Sequence, residues 1–254
     1  MSNGNAGDKG GIFSVESPFY RFLSRLFDMI KLNAMWMIFS GVFGYFLIPV
    51  LLRYFFGFST ADPIMVIRYI PFLTIGAATT AAFSITLRMV DEQEGYIAEP
   101  FIAAFKDNFI QGNILGIIFL VGVYALYLDG QFYQAAEKLG QSNLLYMVFG
   151  FILAVMLFLH LIYAFALQAR YENTLINILR NSRLIAIRFL LRTIFLVLLL
   201  GVLIVIFLWN STTLFLGILV GVPTLFFAIS ASAMRVFREL EVENEDSKDT
   251  GNEA

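Results

Sequence analysis

Residues 190–208 read LLRTIFLVLLLGVLIVIFL. After Arg192 no charge interrupts this run, and about 20 mostly apolar residues are enough to cross a hydrocarbon core roughly 30 Å thick. Working outward, similar stretches lie near Leu32–Leu52, Tyr69–Val90, Ile114–Leu128, Leu144–Leu167 and Leu214–Ala233. The polar turn Asn210-Ser211-Thr212-Thr213 separates the last two spans. With 59% hydrophobic and 14% charged residues, lipid is the solvent for most of the chain. Because helices satisfy their own backbone hydrogen bonds, repeated apolar runs of this length predict an all-α, polytopic membrane bundle of about six spans.

The remaining segments frame that bundle. Residues 1–16, rich in Gly and Asn, are expected to be a disordered tail, and residues 239–254 a disordered acidic one. The membrane domain is then 17–238. Nothing in the first residues resembles a cleavable signal, so the first span is expected to serve as the insertion signal. Ser17-Pro18 is a helix start. Beyond it Phe19, Phe22, Leu23, Leu26 and Ile30 fall on one face, opposite Arg21, Arg25 and Asp28. This is either an amphipathic interfacial helix or a plain extension of the first span. With six spans, 14 of the Lys and Arg residues share the side of both termini and 3 lie opposite. The positive-inside rule makes that side cytoplasmic.

Two connectors on that side carry helical patterns. Residues 96–109 alternate Tyr96, Phe101 and Phe105 with Glu99, Lys106 and Asp107. Residues 171–189 place Tyr171, Leu175, Ile178, Leu179, Ile185 and Phe189 on one stripe, and Asn173, Asn177, Arg180, Asn181 and Arg188 opposite. Leu184 and Ile187 break the stripe, as expected if the helix is already turning toward the next span. Both connectors read as interfacial helices, and Arg180, Arg183 and Arg188 are candidate contacts for lipid or a partner.

The chemistry that the chain lacks is informative. Cysteine is absent and His160 is the single histidine. No phosphate loop, zinc-binding His pair or serine nucleophile elbow occurs. The expectation is a protein that is no enzyme, holds no metal or cofactor and binds no nucleic acid. His160 falls well inside the fourth apolar run, where an ionisable residue is a functional candidate by default, although no mid-span carboxylate accompanies it. In the second run Thr74, Gly76, Thr79 and Thr80 form a small and hydroxylated surface. It reads first as helix packing and second as a solute path. Glu172, beside Asn173, is the most unusual charge. It is expected to complement a helix N-terminus, to pair with Arg170 or Arg88, or to dock a partner.

Several stretches together resemble the YesL family of bacterial membrane proteins. They are Ser17-Pro18 with Arg21-Phe22-Leu23-Ser24, Trp36, residues 71–81 (PFLTIGAATTA), Glu94-Gly95-Tyr96 with Phe105–Phe109, and residues 169–175 (ARYENTL). The chain departs from that pattern between Trp36 and Pro71, where extra residues including Arg53 and Asp62-Pro63 make two spans of what is usually one. The resemblance implies no reaction. It implies a place beside carbohydrate uptake in the bacterial cytoplasmic membrane, as an accessory or regulatory component contacting subunits of an import complex. The competing expectation is an independent small-solute transporter or channel.

Overall fold

In the computed structural model the described residues are 17–57, 59, 62–93, 95–138 and 144–251, so the expected tail over 1–16 lies outside them. The helices are α1 (Pro18–Phe39), α2 (Val42–Phe56), a 3₁₀ helix (Pro63–Thr74), α3 (Ile75–Val90), α4 (Ala98–Asp107), α5 (Phe109–Lys138), α6 (Leu144–Leu161), α7 (Ala164–Arg170), α8 (Leu175–Arg188), α9 (Leu190–Leu208), α10 (Ser211–Leu216), a π-helical turn (Gly217–Gly221) and α11 (Val222–Gly251). No strand occurs among the described residues. Among the described residues five stretches are long and apolar enough to cross a membrane, and α1 with α2, bent by 54°, makes a sixth if the pair counts as one span. The fold is an all-α membrane bundle.

The least hydrophobic of these stretches is the central one. Phe72–Val90 has a mean hydropathy of 1.3 against 2.9 for Leu190–Leu208. The difference follows from what each helix touches. α3 packs against α1, α4, α5, α7 and α11, so its small residues Ala77, Ala78, Ala81 and Ala82 are fully buried against protein. α9 instead turns Leu191, Phe195 and Leu198 outward. A helix within protein can be small and hydroxylated, whereas one facing lipid must be apolar on its outer face.

The first span departs from the expected Leu32–Leu52. α1 is one continuous helix from Pro18, with Ser17 Oγ accepting from the Tyr20 amide at its N-cap. The extension reading of residues 17–31 is therefore the observed one. α1 stops at Ser40-Gly41, where Gly41 adopts φ 80°, a left-handed conformation that costs glycine little and breaks the helix axis. Asn33, nearly buried in α1, donates from Nδ2 to the carbonyls of Ile218 (2.7 Å) and Leu219 (2.9 Å). Those carbonyls lie in the π turn, whose widened ring weakens the helix's own hydrogen bonding, and the amide supplies a replacement donor.

The acidic C-terminal segment also departs from expectation. α11 runs unbroken to Gly251 instead of becoming disordered at Glu239. Its first acids have partners: Glu239 meets Arg192 at 2.6 Å, Glu241 meets Arg170 at 3.1 Å and Glu243 meets Arg188 at 2.6 Å. Residues with little to bury alone are ordered here by cations from three other parts of the chain. The last residues, 252–254, lie outside the described ones.

The two connectors fold back onto the bundle. α4 seats Phe101 in a cluster with Leu32, Ala78 and Ile85, edge-on to Phe39. α8 sends Ile178 and Ile185 into the core beside Tyr163 and Phe237. Protein, more than lipid, therefore receives their apolar faces. Leu184 and Ile187 still belong to α8 and are exposed. The turn toward α9 comes only at Phe189 (φ −105°, ψ 41°).

Candidate functional site

Charges concentrate at the end of the bundle where α3, α7 and α11 meet the linker 171–174. Asp91, just past α3, is held by Arg238 of α11 and by Arg170 of α7, the latter at 3.9 Å. Arg170 also donates to both oxygens of Glu241, at 3.1 and 3.3 Å. The Tyr171 hydroxyl donates to Glu241 Oε1 at 2.6 Å. Arg170 is only about one quarter exposed, and its guanidinium lies 5.9 Å from the centre of the Phe237 ring. Burial is the main cause that pushes the Tyr171 phenol up to about 12, and its hydrogen bond to Glu241 adds to it. At neutral pH the phenol therefore keeps its proton and stays a donor.

This cluster forms one wall of a cleft of about 490 Å³. Tyr171, Glu172 and Asn173 line it from the linker, Asn181 and Arg188 from α8, and Glu241 from α11. Three residues singled out in the sequence, Glu172, Asn173 and Arg188, thus come together. Asn173 orders the rim: its Oδ1 accepts from the Thr174 amide at 2.8 Å and from Asn177 Nδ2 at 3.1 Å, fixing the start of α8. Arg188 is committed to Glu243 and lies 5.7 Å from the Phe189 ring. Glu172 is exposed and, among the described residues, has no ion-pair partner. The pairing with Arg170 or Arg88 is therefore corrected, because Glu241 reaches Arg170 from inside the bundle. The cleft presents carboxylate, amide and guanidinium groups beside apolar residues that include Ile178, Ile185 and Phe237, a mixture suited to an amphipathic protein segment.

The remaining candidates lie elsewhere. Thr74 Oγ1 donates to the Phe39 carbonyl at 2.6 Å, Thr80 Oγ1 donates to the Gly76 carbonyl at 3.0 Å, and Thr79 Oγ1 accepts from Trp36 Nε1 at 3.2 Å. Gly76 lies against Gly112 and Gly116 of α5. All four serve helix contact. His160 falls inside the apolar stretch Leu145–Arg170 and still finds polar neighbours: its Nε2 stands 3.4 Å from Arg183 of α8, and its Nδ1 lies 2.7 Å from the Met156 carbonyl of its own helix. It belongs to the level where α8 packs on α6, because α8 folds back alongside that helix. Arg180 and Arg183 are exposed. Among the described residues no three of His, Cys, Asp and Glu converge as a metal site would require.

Sequence reasoning missed Gln168, Asp91, Arg238 and Glu241. Gln168 is buried in α7, and its Nε2 donates to Asn108 Oδ1 (2.9 Å) and Gln111 Oε1 (3.0 Å), tying α7 to the break between α4 and α5. A lone amide within an apolar run is a signal that was available. Glu241 offered none, because it sits in a run of acids that reads as solvated.

The structure and the comparisons can now be set side by side. The family DUF624, a protein family of unknown function, has a model that matches residues 29–130. No curated protein and no solved structure matches the chain. The matched stretch runs from α1 through most of α5. It contains Asp91 and ends before the linker and helices that line the cleft, so the similarity is to an uncharacterised family over the first half of the bundle.

Proposed function

We propose that this chain is a multi-pass protein of the bacterial cytoplasmic membrane, with both termini cytoplasmic, that acts without catalysis as an accessory component of a membrane complex. The observation that carries this reading is the cleft itself. It sets polar groups beside apolar ones such as Ile178, Ile185 and Phe237, it lies at the arginine-rich end of the bundle, and three ion pairs fix α11 beside it. A preformed concavity with one uncommitted carboxylate, Glu172, suits docking of an amphipathic segment. The positive-inside rule puts this end in the cytoplasm. Carbohydrate import as the context rests on the YesL resemblance of the sequence alone.

A solute carrier is the second reading. It would use the hydroxyl surface around α3, but Thr74 and Thr79 are bonded to α1 and the Thr80 hydroxyl to its own helix. The accessory role is therefore favoured.

The test is recovery of partners after mild detergent extraction, with photo-crosslinkers placed at Asn173 and Asn181. Subunits of a carbohydrate importer are expected, and Glu172→Gln should weaken their recovery severalfold without changing abundance. Crosslinks to lipid alone, with no transport subunit in complexes known to stay intact, would reject the accessory role. Unaided solute uptake by the purified protein in liposomes would favour the carrier instead.

A further inference from the structure

A second and larger cavity, of about 940 Å³, opens at the surface of the bundle. It is near the upper end of the roughly 300–1,000 Å³ typical of small-ligand pockets. Phe151, Ala154 and Phe158 of α6 face Ile194 and Val197 of α9 across it, with Phe119 of α5 beside them. α6 packs on α5 and α8, while α9 packs on α8, α10 and α11, and the two barely touch each other. The cavity occupies that gap. Its lining spans about ten residues along α6 and along α9, a length of roughly 15 Å at 1.5 Å per residue.

The polar groups in its wall are already used. Trp36 Nε1 donates to Thr79 Oγ1 at 3.2 Å. Thr193 Oγ1 donates to the carbonyls of Ala186 and Phe189, each at 3.1 Å. A polar solute would find nothing to replace its water, whereas an acyl chain loses nothing by entering. At one end of the lined stretch of α6, next to wall residues Leu159 and Leu161 but outside the wall itself, His160 stands 3.4 Å from Arg183. Arg183 is exposed and, among the described residues, meets no carboxylate. With its Nδ1 proton on the Met156 carbonyl, His160 accepts from Arg183 through Nε2, which orients a guanidinium whose remaining donors are complementary to a phosphate.

We propose that this cavity holds one acyl chain of an anionic phospholipid, whose phosphate rests on Arg183, with His160 orienting the guanidinium. The site is distinct from the cleft and stands whether or not a partner docks there.

The experiment uses the full chain in nanodiscs containing a phosphatidylglycerol with a diazirine on its acyl chain, followed by peptide mapping. Label is expected on the lining residues Ala154, Phe158, Ile194 and Val197. Ala154→Trp, which fills the cavity, should lower that label at least fivefold, with Val197→Phe as a milder second filling variant. Monodisperse elution and an unchanged thermal midpoint check that each variant is folded. Arg183→Gln should bring the preference for phosphatidylglycerol over phosphatidylcholine down to about one. Label spread over outward residues such as Leu191 and Phe195, and insensitive to both filling variants, would overturn the cavity assignment. Equal labelling by the two lipids in the unaltered protein would overturn the headgroup assignment. Crosslinked dimers mapped to the same residues would assign the gap to a second copy of the chain and overturn the proposal.

Discussion

Gly76 of α3 and Gly112 of α5 touch backbone to backbone: a Cβ built on Gly76 would stand 2.7 Å from the Gly112 carbonyl carbon and 2.9 Å from the Asn113 Cα. Backbone cannot swing aside as a long side chain can. Gly76→Ala is therefore expected to force α3 and α5 apart and to destabilise by about 3 kcal/mol or more, the upper part of the usual overpacking range. Thr80→Val is the contrast, because its hydroxyl bonds only to its own helix. Thermal unfolding in detergent checks both. A Gly76→Ala midpoint equal to that of Thr80→Val would contradict the close crossing.

Asn33→Leu removes the donor to two carbonyls of the π turn. Leaving buried acceptors unsatisfied costs about 1–3 kcal/mol. The expected result is loss of stability of that order together with faster amide exchange over residues 217–224. Unchanged exchange there would show that the π turn is held by other contacts.

Tyr171 carries the pH dependence of the cleft. Its phenol is raised from the ordinary value near 10 to about 12 by burial first and by its bond to Glu241 second. The folded state therefore favours the protonated form. That contribution is complete below pH 10 and disappears as pH rises from 10 through about 12. Ultraviolet titration of the protein against Tyr171→Phe should give a difference transition near pH 12. Glu241→Gln should move the transition downward while leaving it above 10, since burial persists. A transition at 10 in the unaltered protein would remove the interaction.

Glu92 closes α3 with φ 55°, the one non-glycine residue with positive φ among the described residues. Left-handed backbone costs an L-residue roughly 1–2 kcal/mol. Its ion pair with Arg25, at 3.6 Å and largely exposed, returns little. Glu92→Gly is expected to raise stability by about 1 kcal/mol, read as a higher thermal midpoint. A lower midpoint would mean that the Arg25 contact outweighs the strain.

The bundle was legible because periodicity and length report on lipid directly. Leu190–Leu208 was bounded correctly as a span, and the stripe Leu175, Ile178, Leu179 and Ile185 correctly gave the inward face of α8. The break at Gly41 was not legible, since apolar residues continue on both sides of it. The role of Glu239–Glu243 was also hidden. Composition describes a segment by itself, and these acids are ordered by arginines about 50–70 residues earlier in the chain. Of the candidate site, Glu172, Asn173 and Arg188 were visible as a local cluster, and their long-range neighbour Glu241 was not.

The ties between α11 and the earlier arginines also set an order of events. Arg170, Tyr171 and Arg188 leave the ribosome well before residues 237–243, and until those residues follow, the cleft lacks one of its walls. Under the accessory role proposed above, a partner would engage the assembled concavity only after synthesis has passed Glu243, and docking would double as a check that the bundle has been completed.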